Sequence, residues 1–132
     1  MKNLFLLFVS FLLTCCFTAT KAPGWYPVAD YPDNSITGKA VVTVDDFERI
    51  SLDSVDNHVY ISGKLKPSKI AEWAEYSETH TGKRLGFLYN DSIVCAPVIN
   101  TRLESGNFQI TSPDAALIRK IYDSLSKEVV AD

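Results

Sequence analysis

The sequence has little of what catalytic and metal centres are usually built from. It holds two histidines, three cysteines and one methionine in 132 residues. His58 and His80 stand far apart with no further ligands beside them, a poor arrangement for zinc. The carboxylates of "DDFE" (45–48) and "LDSVDN" (52–57) lack the spacing of a calcium loop. No glycine-rich phosphate loop follows a candidate strand. Glu72, Glu75 and Glu78 fall on a predicted helix and read as its solvated face. Basic charge is also short: 13 Lys and Arg against 16 Asp and Glu give a net charge of −3. Apart from Lys83-Arg84 the bases are scattered, and without a basic face a nucleic-acid partner is not expected. Neither a cofactor nor a metal is expected.

Long apolar runs are missing too, with one exception at residues 4–13. That run is well below the ~20 residues a membrane-spanning helix needs. With one lysine before it, it has the pattern of a secretory signal peptide. The stretch that follows, Leu13-Thr14-Cys15-Cys16, resembles the lipobox of bacterial lipoproteins, in which a leucine lies three residues before a cysteine that is acylated. Cys16 has Leu13 at that position with small Thr14 and Cys15 between; Cys15 has Leu12 there but bulky Leu13 next. Cys16 is therefore favoured as the lipidation site, with Cys15 the alternative. A plain signal peptide cut further on would discard both cysteines, but "FTATKAP" offers a poor cleavage site. Once Cys16 is acylated, Cys95 is the last cysteine and no intramolecular disulfide can form.

What remains is enough for one domain. Residues 1–16 read as signal peptide and lipobox, 17–39 as a linker and 40–128 as the domain. Pro23, Pro27 and Pro32 keep the linker extended. Trp25, Tyr26, Val28 and Tyr31 are apolar for a pure tether, so part of it is expected to lie against the domain as an irregular edge strand. "AVVTV" (40–44) predicts a short strand, and two alternating runs around Asp56-Asn57 predict a hairpin. Residues 66–82 predict a helix, with Pro67 in its first turn and Gly82 at a left-handed exit. At about 100° per residue, Ile70, Trp73, Ala74, Ser77 and Thr81 share one stripe, anchored by Trp73. A second hairpin turns at Asn90-Asp91, and both its strands are apolar enough to lie centrally. A last strand spans 108–111 after a bend at Gly106-Asn107. A second helix is capped by Ser112 and carries Leu117, Ile118, Ile121, Tyr122 and Leu125 within about 140° of arc. The final "VVAD" is expected to fray. The order β-β-β-α-β-β-β-α predicts an α+β fold, with both helices on one face of a largely antiparallel sheet.

Laid out in this way, the chain resembles the head subdomain of the first periplasmic domain of SecD and SecDF, accessory subunits of the bacterial Sec translocase. The resemblance rests on "VTVDDFERISL" (42–52), "GKRLGFLYNDSIVCAPVI" (82–99) and "LESGNFQITSPDAALIRKIYDSL" (103–125). The family commonly has an Asp-Gly turn where Asn90-Asp91-Ser92 stands, and serine in place of Cys95. The sequence shows no counterpart of the transmembrane helices with which SecD couples translocation to the proton gradient. The resemblance therefore implies the fold and not the motor.

Pro97 lacks the N–H a ladder needs, so it marks an edge or bulge, as the family's proline does at the same place. A nucleophilic Cys95 would need a base, and nothing local directs His58 or His80 to it. The expectation is a non-catalytic lipoprotein of the bacterial envelope, anchored in the membrane and facing the periplasm or exterior. Its SecD-head-like domain would bind an envelope protein or a translocating polypeptide and assist export or envelope assembly. Breaks in the ladder place the candidate binding edge at Pro97, Asn100, Gly106 and Asn107. Two other readings stay open: a structural lipoprotein that positions the aromatic N-terminal segment, and a thiol-dependent enzyme using Cys95.

Overall fold

The structure is a computed structural model and describes residues 20–132. The signal-peptide and lipidation expectations, with Cys15 and Cys16, lie outside those residues. The chain runs through β1 (Gly24–Val28), β2 (Val42–Thr43), a 3-10 turn (Val44–Asp46), β3 (Phe47–Val55) and β4 (His58–Leu65). Then come α1 (Pro67–Thr79), β5 (Arg84–Tyr89), β6 (Ser92–Cys95), β7 (Asn107–Thr111), α2 (Ala115–Leu125) and β8 (Val130–Ala131).

The α+β class and the mainly antiparallel pairing are as expected. The strands, however, divide into two four-stranded sheets, ordered β2-β1-β5-β6 and β7-β4-β3-β8. The first sheet exists because β1 is a strand and not part of a linker. β1 lies between β2 and β5, pairs with β5 along its whole length, and buries Trp25, Tyr26 and Val28. The prolines do keep this stretch extended, and the aromatic residues then supply the area that holds it in the core. Among the described aromatics of that segment, Tyr31 alone is left in solvent, 83% exposed.

Both hairpins turn where the sequence places them. Asp56 and Asn57 have φ of 50° and 69°, and Asn90 and Asp91 have 50° and 61°. Asn and Asp tolerate this left-handed region, which two-residue hairpin turns require. β6 is an edge strand, not a central one. Beyond Cys95 its regular pairing gives way to a single bridge between Arg84 and Val98, while the Pro97 carbonyl accepts from Leu85 N–H at 3.0 Å. Pro97 thus sits where the ladder changes, its missing N–H costing nothing.

In the second sheet, residues alternate between faces. Ile50, Ile61, Phe108 and Ile110 are buried on the inner face. Arg49 with Lys64 and Asn107, and Ser51 with Ser62 and Gln109, form cross-strand rows on the outer face. The core joins both sheets and α1 through aromatic rings. Trp25 meets Trp73, Phe87 and Phe108 edge-on, with centroids 6.2, 5.5 and 5.7 Å apart. On α1, Trp73, Ala74 and Ser77 are buried, much of the expected stripe. The Ser77 hydroxyl donates to the Ala74 carbonyl and accepts from Leu103 N–H, both at 2.8 Å, so the helix also holds the loop before β7. The helix ends at Thr79 with His80 as its cap, earlier than expected, and Gly82 takes φ +91° in the turn that follows.

Two chain ends differ from expectation. The cap of α2 is Asp114, whose carboxylate accepts from Leu117 N–H at 3.1 Å. Ser112 instead accepts from Asp114 N–H, and the charged group takes the positive helix end. Residues 129–132 do not fray: Val129 is buried, β8 pairs parallel with β3, and Asp132 N–H donates to the Ile50 carbonyl at 2.9 Å.

Candidate functional site

The open edge that matters is β7, which ends the order of the second sheet. Leu65 N–H donates to the Gly106 carbonyl at 2.9 Å. In an antiparallel ladder that parity turns the backbone groups of Gly106, Phe108 and Ile110 toward β4, and those of Asn107, Gln109 and Thr111 outward. Asn107 N–H is taken by the Ser105 hydroxyl at 3.2 Å, and Thr111 lies against Cys95. Gln109 is left as the centre of a short edge with no strand beside it among the described residues.

Next to that edge lies a groove of about 770 Å³ on the outer face of the sheet. Its floor is shaped by side-chain length. Ser51 and Ser62 are short, Lys64, Asn107 and Gln109 are longer, and Pro97, from the segment after β6, also lines it. The lining offers hydroxyl, amide and ammonium groups, which suit polar backbone better than an apolar ligand.

Of the four residues expected at the edge, Pro97 and Asn107 meet at this groove, but the Pro97 carbonyl is paired with Leu85 N–H, so Pro97 lines the groove without offering a free backbone group. Asn100 is exposed but does not line it. Gly106 is a correction: it is buried, its carbonyl is paired, and at φ +77° it leaves room that Ile70 of α1 fills. The bend there covers the backbone and does not free it. Ser51, Ser62 and Gln109 were not expected; the signal for them was the polar half of the period-two pattern in β3, β4 and β7.

Cys95 is half-buried, and the fold does bring one histidine near it. His58, Tyr60, Val94, Cys95 and Thr111 line a second, smaller groove. His80 lies elsewhere, its ring stacked on Tyr76 at 3.9 Å. Burial pushes the Cys95 thiol above its ordinary pKa, only partly offset by hydrogen bonding to Thr111 and the Phe87 backbone. A nucleophilic thiol is shifted the other way. Alkylation of Cys95 by iodoacetamide, followed by peptide mass spectrometry, should therefore have a pH midpoint above the ordinary 9.0. A midpoint below that value would restore the thiol-enzyme reading. Among the described residues, no group of three or more His, Cys, Asp or Glu is placed to hold a metal, and no helix is long and apolar enough to cross a membrane.

The family model described as SecDF, P1 head subdomain, matches residues 25–116, starting at buried Trp25 of β1. No curated protein matches. Among solved structures, one of SecDF, described as a membrane component that enhances protein export, aligns with a TM-score of 0.57 at 21% identity. It covers 64% of this chain, which spans 39% of that one. A crystal structure of SecDF in a super-membrane-facing form aligns with a TM-score of 0.57 at 19% identity, covering 68% of this chain and 12% of its own. At such identities these likenesses carry the fold. The family match spans most of the described domain, and on that ground the chain belongs to the SecDF P1 head subdomain family.

Proposed function

We propose that this chain is a non-catalytic, lipid-anchored protein-binding module of the bacterial envelope that assists protein export or envelope assembly. In this reading Cys16 carries the lipid and the domain faces the periplasm or exterior. Its partner is an extended segment of a translocating or envelope polypeptide. The observation that carries the reading is the open β7 edge at Gln109 beside a polar groove. An extended chain can add to such an edge through backbone hydrogen bonds, with alternate side chains entering the groove. Family membership supports it, since a SecDF relative is described as enhancing protein export. The raised thiol pKa of Cys95 speaks against catalysis there. The structural-lipoprotein reading has less support, because Trp25 and Tyr26 belong to the core and only Tyr31 of that segment's described aromatics is free to be presented.

So short an edge should bind weakly, at about 10 μM or weaker. Photo-crosslinking side chains at positions 107 and 109 should capture an unfolded secretory polypeptide, whereas one at position 75, on the exposed face of α1, should not. Equal capture at all three positions, or capture at 75 alone, would rule out binding through the β7 edge.

A further inference from the structure

The chain is tied to the domain much earlier than a linker to residue 39 would allow. Lys21 N–H donates to the Asp91 carboxylate at 3.2 Å, in the turn between β5 and β6. The Tyr26 hydroxyl donates to the Ala22 carbonyl at 2.6 Å, and Val44 N–H to the Pro23 carbonyl at 3.0 Å. Only residues 17–20 separate Lys21 from Cys16. Even fully extended, the five steps between them reach at most about 18 Å. A lipid on Cys16 therefore keeps the 90–91 turn near the headgroups. β1 runs away from that turn, from Gly24 beside Leu88 to Val28 beside Arg84, so Lys83 and the exposed Tyr31 loop lie toward the opposite end of the sheet.

The surface next to the turn carries concentrated charge. Tyr89, the residue before the turn, shares a groove with Arg119, Lys120, Asp123 and Lys127, which belong to α2 and the residues just after it. That is three bases against one acid on a chain whose net charge is −3. All three bases are exposed, and none is within salt-bridge distance of a carboxylate among the described residues.

We propose that Arg119, Lys120 and Lys127 rest on anionic phospholipid headgroups of the leaflet that holds the anchor. The domain is thereby held with its 90–91 turn toward the bilayer and its Tyr31 end away from it. This rests on the lipid-anchor reading for the tether and on charge for the contact. Bases near an anionic surface add to membrane partitioning by roughly five-fold each, and salt screens the effect.

The test uses the full-length processed protein added to vesicles of phosphatidylcholine alone or of phosphatidylcholine with phosphatidylglycerol. Flotation is measured first, then the rate of lysine acylation at each site by mass spectrometry. Flotation with both vesicles is expected, with acylation of Lys120 and Lys127 slowed about five-fold or more on anionic vesicles only. Lys83 should be unaffected, and 0.5 M salt, a Debye length of about 4 Å, should remove the difference. Flotation with both vesicles but equal rates at Lys120 and Lys127, or equal slowing at Lys83, overturns the docking proposal and leaves the anchor standing. Flotation with anionic vesicles alone supports the basic patch and removes the anchor. Flotation with neither removes both.

Discussion

Trp25→Ala should lower the melting temperature of the domain by about 10 °C or more. Trp25 is only 2% exposed and touches the rings of Trp73, Phe87 and Phe108, so it joins α1 and both sheets at one point. Truncating a buried aromatic to alanine costs about 3–5 kcal/mol, a large part of the ~5–15 kcal/mol that holds a domain together. The indole N–H has no acceptor among the described residues, so the loss is one of packing and not of a hydrogen bond. Trp25→Phe should accordingly retain much of the stability. Tyr31→Ala, a few residues along and 83% exposed, should melt like the wild type. Circular dichroism melts of the three variants decide the point. If Trp25→Ala melts within a degree or two of the wild type, residues 24–28 are a tether after all and the first sheet is not held by them.

That variant also marks where local sequence signals end. The features that were legible depend on near neighbours. The Asp56-Asn57 and Asn90-Asp91 turns need only residues that accept positive φ, Gly82 needs only a left-handed exit, and the α1 stripe around Trp73 needs only helical spacing. That part of the 17–39 segment lies against the domain was legible from its aromatics, but that β1 is an interior strand was not, because its partner, β5, lies far along the chain and three nearby prolines carry the composition of a spacer. β8 is two residues long and pairs with a strand from the start of the second sheet, so no periodicity could announce it. Alternation in β3, β4 and β7 gives which side chains share a face, but not which strands share a sheet. The candidate site shows the same division. Pro97 was legible as a break in the ladder because proline cannot donate. Whether Gly106 left its carbonyl free depended on Leu65 across the gap, and there the bend alone misled.

Gly63→Ala should destabilise the protein, reversing the usual sign. In a strand, glycine normally weakens the fold and alanine improves it, because glycine loses more backbone freedom on folding. Here Gly63 lies between Ile50 of β3 and Phe108 of β7 on the inner face, and a Cβ at Gly63 would overlap the Phe108 ring. That ring has no room to retreat, since it lies 4.5 Å from Phe47 and 5.7 Å from Trp25, centroid to centroid. Overpacking of this kind costs about 1–3 kcal/mol, or roughly 5 °C or more in melting temperature. The displaced element is β7, so the effect should reach the proposed edge: crosslinking of polypeptide at position 109 should fall while the background at position 75 stays constant. Phe108→Leu made together with Gly63→Ala removes the ring that the new methyl strikes. If the overlap is the cause, the double variant should be more stable than the sum of the two single losses predicts, because residues in contact do not add. Additive losses in that cycle would mean that Gly63 is required for its backbone alone and that β7 is not positioned through it.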